Sequence, residues 1–77
     1  MDFQESIKRI RQQSFLSQES FARELNVSFS SVNRWEGGRT MPNLKAMKNI
    51  QRYCKENKLD FGSLEGEWLS TRKDKNK

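Results

Sequence analysis

Two helix-start signals stand eleven residues apart, at Ser17 and Ser28, and each is followed by an apolar set at helical spacing. Phe21, Ala22 and Leu25 follow the first; Val32 and Trp35 follow the second. Leu16 and Val27 each precede a cap, where an apolar residue can staple onto the fourth helical position, here Phe21 and Val32. No room is left for a strand, so residues 17–38 are predicted to form two short helices joined by a tight turn. Asn26 falls in that turn, and asparagine accepts the left-handed backbone conformation better than any residue except glycine.

The flanking segments extend the helical pattern. Asp2 with Glu5 fits a capping box, and Phe3, Ile7 and Ile10 then share one face of a helix expected over residues 3–13. Gly37-Gly38 closes the third helix, Pro42 bars a helix before it, and Asn43 can cap a fourth running to about residue 57. The expected core face of that helix is Leu44, Met47, Ile50 and Cys54. Beyond Lys58, the residues Phe61, Leu64, Trp68 and Leu69 fit a short fifth helix capped by Ser63, with Gly62 and Gly66 weighing against it. The expected fold class is therefore all-α, a compact four- or five-helix bundle in one domain over residues 1–70. Residues 71–77 carry Arg72, Lys73, Asp74, Lys75 and Lys77 with no apolar residue, and are expected to be a basic, disordered tail.

Charge narrows the class of partner. The chain of 77 residues has a formal net charge of +5 and a pI near 9.7, which favours an anionic partner such as a nucleic acid or an acidic membrane surface. The excess is uneven. Arg39, Lys45, Lys48, Arg52 and Lys55 against Glu56 alone make residues 37–57 strongly basic, whereas Glu19, Glu24 and Glu36 outnumber Arg23 and Arg34 in residues 17–36. One cysteine, Cys54, excludes an internal disulfide, and the absence of histidine removes the usual zinc ligand and the usual general base. No nucleophile–base pair or metal cluster supports an enzyme, and no cofactor is expected. With no apolar run long enough for a membrane span or a signal-peptide core, the chain is expected to be cytoplasmic.

A helix laid in the major groove of double-stranded DNA reads bases with its outward side chains, while the preceding helix directs its positive end at a phosphate. Phe29, Ser30, Asn33 and Arg34 occupy the side of helix three opposite Val32 and Trp35 and are the candidate base-contacting residues. Asparagine can pair with adenine through two atoms, arginine with guanine through two, and Phe29 can lie against a thymine methyl. Phe29 also admits a core placement, and Asn33 and Arg34 an ordinary solvated face. Candidate phosphate contacts are Gln18, Ser28, Ser31, Arg39, Thr40 and Lys45, with Lys48 a weaker one, although the stripe Lys45, Lys48, Arg52 and Lys55 also reads as a simple solvated surface.

The run from Ile7 to Ile50 resembles the phage-repressor family of helix-turn-helix domains, the Cro and lambda-repressor type. Arg11, Ser17-Gln18-Glu19, Phe21-Ala22, Leu25, Val27-Ser28, Val32, Trp35-Glu36, Gly38, Pro42 and Leu44 carry the likeness, which covers about residues 5–57. The resemblance implies a four- or five-helix bundle, backbone contacts from Gln18 and the position before Gly38, and base contacts from Phe29, Ser30, Asn33 and Arg34. It also implies a salt bridge between Arg11 and Glu36, which would mask an acidic group that otherwise repels phosphate. Asn26 stands where the family usually has glycine, and Gly37 where a polar residue often bonds phosphate.

Two functions fit. The first is a sequence-specific transcriptional regulator, a repressor that occupies an operator as a homodimer on a pseudo-palindrome. The second is an antitoxin or similar module whose C-terminal segment, through Phe61, Leu64, Trp68 and Leu69, binds a partner protein. Exposure of those four side chains would favour the second, and their packing on helices one and four the first.

Overall fold

The computed structural model describes residues 2–75, with side chains through Thr71. Its helices are α1 (Phe3–Gln13), α2 (Gln18–Leu25), α3 (Phe29–Glu36), α4 (Leu44–Glu56) and α5 (Gly62–Lys75). Every described element is helical, so the fold is all-α.

Four of the helix starts are closed by short polar side chains. Asp2, Ser17, Ser28 and Asn43 accept the backbone N–H of Glu5, Ser20, Ser31 and Ala46 at 3.0, 3.1, 3.1 and 2.8 Å, respectively. Each bond satisfies a donor that a helix end would otherwise leave open. Asn26 ends α2 in the left-handed region at φ 59°, and the Val27 N–H bonds back to the Ala22 carbonyl at 2.9 Å. This closes the turn between α2 and α3 without glycine. The turn between α1 and α2 uses the same conformation at Phe15, φ 57°, although that side chain is 94% exposed and has no local hydrogen bond to recommend it.

The core takes Phe3, Ile7 and Ile10 from α1, Phe21, Ala22 and Leu25 from α2, and Val32 and Trp35 from α3. Leu16 and Val27, the expected staples, are partly buried against it. Phe21 meets Tyr53 edge to face, with ring centroids 5.7 Å apart. The Asn49 amide donates to the Leu25 carbonyl at 3.0 Å, tying α4 to the end of α2.

Two expectations are corrected. Leu44 is 61% exposed, and α4 instead buries Ala46, Met47, Ile50, Tyr53 and Cys54. At 3.6 residues per turn Leu44 points about 120° away from Ile50, on a stripe with Lys48 and Gln51. The cap of α5 is supplied by Asp60 rather than Ser63: one carboxylate oxygen accepts the Gly62 N–H at 3.0 Å and the other the Ser63 hydroxyl at 2.9 Å. Leu64 and Trp68 are buried, Phe61 is half-buried and Leu69 remains 52% exposed. Trp68 Nε1 also donates to the Pro42 carbonyl at 2.8 Å, which fastens the loop after α3 to α5. The tail expected from residue 71 begins inside α5, whose backbone is helical to Lys75, and residues 76–77 lie outside the described residues. Among the described residues no helix is long and apolar enough to cross a membrane.

Candidate nucleic-acid interface

Because α3 commits Val32 and Trp35 to the core, its opposite side must face outward. Ser30, Asn33 and Arg34 are exposed, and Phe29 is 51% exposed, so all four candidate base-contacting side chains share one open face. Phe29 is therefore not a core residue. Ser28 and Ser31 close the start of the helix: the Ser28 Oγ accepts the Ser31 N–H, and their hydroxyls lie 2.9 Å apart.

Arg11 and Glu36 form the ion pair that joins α1 to the end of α3. Arg11 Nε donates to Glu36 Oε2 at 2.7 Å and Nη2 to Oε1 at 3.0 Å, with side chains only 15% and 5% exposed. The third guanidinium nitrogen, Nη1, donates to the Leu16 carbonyl at 2.9 Å. Two parallel charge-assisted bonds fix orientation as well as distance. The hydrogen bond to Glu36 raises the Arg11 pKa above its ordinary value, against the opposing effect of burial, so the guanidinium stays charged.

Gln18 and Asn33 extend this pair to the surface. Gln18 Nε2 donates to Glu36 Oε1 at 3.0 Å, and Asn33 Nδ2 donates to Gln18 Oε1 at 3.1 Å. Four side chains from three helices thus form one chain of hydrogen bonds, ending on a residue of the open α3 face.

A shallow depression lies on each side of α3. One, of about 320 Å³, is lined by Lys8, Arg11, Gln18, Asn33, Gly37 and Arg39 among others. The other, of about 330 Å³, is bordered by Ser31, Thr40, Asn43, Lys45 and Asn49 with parts of the turn at Asn26. Five of the six candidate phosphate contacts therefore divide between two flanks, Gln18 and Arg39 on one and Ser31, Thr40 and Lys45 on the other, while Ser28 lines neither. Lys48 belongs to neither and lies beside Leu44, Phe61 and Trp68. Lys8 was missing from the sequence-based set, although its position three residues before Arg11, on the same helical face, was a usable signal.

Gly38 gives the chain its exit from α3. It sits at φ 75°, a left-handed conformation that favours glycine, and a Cβ there would meet only the movable end of the Gln4 side chain, so the backbone is what calls for glycine. Arg39 is thereby turned back against the helix end, its N–H bonded to the Arg34 carbonyl at 3.0 Å.

The helix-turn-helix family model matches residues 7–61, from the middle of α1 to the start of α5. The chain belongs to this family, the Cro and lambda-repressor-like helix-turn-helix domains. It is similar to the HTH-type transcriptional activator BcrR of Enterococcus faecalis, with 34% identity over 53 residues that make up 69% of this chain. The matched stretch spans only 26% of that relative's length. No solved structure matches the chain significantly.

Proposed function

We propose that this chain is a sequence-specific DNA-binding unit of a transcriptional regulator, with α3 in the major groove of double-stranded DNA. The observation that carries the reading is the bare face of α3, bearing Phe29, Ser30, Asn33 and Arg34, between two depressions that carry cations. A duplex offers that arrangement a groove of base edges between two phosphate strands. Lys8, Gln18 and Arg39 then face one strand, and Ser31, Thr40 and Lys45 the other.

The regulator acts by occupancy, needing no chemistry of its own. An operator overlapping a promoter gives repression by obstructing polymerase, and the activator in the name of its relative marks the other outcome that operator position allows. We further propose a homodimer on a pseudo-palindrome, with half-sites about 10–10.5 bp apart. Such a role belongs to the cytoplasm of a bacterial cell.

The partner-protein reading is disfavoured by the burial of Leu64 and Trp68, two of the four side chains it required. The decisive test is a titration on random and selected duplexes at several salt concentrations. Neutralising about four to six phosphates gives a log–log slope of roughly 0.9 per phosphate. Arg39→Ala weakens binding to all sequences alike, whereas Asn33→Ala and Arg34→Ala relax site preference. Unchanged preference in both of the latter would remove α3 as the reading helix.

A further inference from the structure

Glu36 fixes the direction of every hydrogen bond that follows it toward the surface. Its carboxylate can only accept, and Arg11 holds both of its oxygens in place. Gln18 must consequently turn its amide nitrogen inward to Glu36, at 3.0 Å, which leaves its carbonyl oxygen pointing at α3. That oxygen is also an acceptor only, so Asn33 must present its amide nitrogen, at 3.1 Å. A solvated asparagine could rotate its amide freely. This one cannot reverse without setting two oxygens against each other.

With one N–H of Asn33 committed to Gln18, the side chain retains one N–H and its carbonyl oxygen. A donor beside an acceptor matches the adenine edge in the major groove, where N7 accepts and the 6-amino group donates. We propose that Gln18 is a positioning residue for specificity: through the order Arg11, Glu36, Gln18, Asn33 it orients the Asn33 amide so that adenine is read at one base position. This rests on the major-groove reading of α3. It assigns Gln18 a task distinct from holding a phosphate, which would act on every sequence equally.

The two tasks separate in a binding-preference experiment. Gln18→Met, which keeps the length of the side chain and removes its polar atoms, and Gln18→Ala are each measured on a selected operator and on the same operator with every base varied in turn. Both variants are expected to reduce the preference for adenine at a single position about fivefold to tenfold, and Asn33→Ala to reduce it at that same position. In the Asn33→Ala background, Gln18→Met is expected to have no further effect on preference. Thermal melting of the variants accompanies the titrations, since the base-by-base pattern is a readout that a general loss of folded protein would not produce. If Gln18→Met weakens all sequences equally while Asn33→Ala relaxes one position, Gln18 is a phosphate contact only and the positioning role is overturned. If Asn33→Ala relaxes no position while Arg34→Ala does, Asn33 reads no base and the positioning role is overturned with the major-groove reading intact; if neither relaxes a position, the major-groove reading fails first, which is a distinguishable result.

Discussion

The two sides of this bundle are held together by different forces. On the side of the open α3 face, α1, α2 and α3 are joined by Arg11, Glu36, Gln18 and Asn33, a chain of directed hydrogen bonds that ends at the surface. On the opposite side α5 is held to the rest by Leu64 and Trp68, two buried apolar side chains with one indole hydrogen bond to Pro42. Apolar burial is strong but indifferent to direction, so it suits a support. Hydrogen bonds stabilise less in net terms, but they set which atom faces outward, and this is what a reading surface requires.

The largest effect should come from the support. Leu64→Ala leaves a cavity at a fully buried site and is expected to cost about 2–5 kcal/mol in denaturant unfolding, with base preference unchanged in the fraction that remains folded. A shift in preference would mean that the two sides are not separable. Glu36→Gln comes next. It leaves Arg11 largely buried without its counter-charge, and about 2 kcal/mol is expected, between the small value of an exposed pair and the larger one of a fully buried pair. Unlike Leu64→Ala, it should also alter base preference, because a neutral amide at residue 36 no longer dictates the direction of Gln18.

Smaller effects test the quality of the packing on each side. Burial, with a lesser contribution from the charge of Asp60, pushes the Cys54 thiol up from an ordinary value of 9.0 to about 11. The folded thiol holds its proton more tightly than the unfolded one. The stability it contributes is therefore complete below about pH 9 and is lost as pH rises toward 11. A thiol reagent near pH 8 should accordingly label Cys54 only at the rate of unfolding; faster labelling would show that the support opens locally. Phe15→Gly should have the smallest effect and the opposite sign. Relief of the left-handed strain, partly offset by the added freedom of glycine in the unfolded chain, is expected to raise stability by about 0.5–1 kcal/mol, read as a higher melting temperature.

Legibility in the sequence followed the range of the interaction. Ser17, Ser28 and Asn43 could be recognised as caps because each bonds a backbone group three residues away, and Asn26 as a turn residue because its conformation is its own. Leu44 misled because apolar character says that a side chain can be buried, not that its helix turns that way. The helix instead turns Ala46 and Tyr53 inward beside Met47, Ile50 and Cys54. Phe61, Leu64, Trp68 and Leu69 looked equivalent as a set, yet packing buried two, half-covered one and left Leu69 outside.

The amino-acid sequence by itself determined where α1 to α4 begin and end and which faces of α1, α2 and α3 turn inward. Capping, periodicity and turn conformation act over a few residues, so they need no knowledge of the rest of the chain. Only the tertiary structure decided that Lys8 and Arg39 border one depression, that Thr40 and Lys45 border another, and that the Asn33 amide is oriented by Gln18 from fifteen residues away. A hydrogen bond of about 3 Å depends on the relative positions of two whole helices, and the shared core sets those positions.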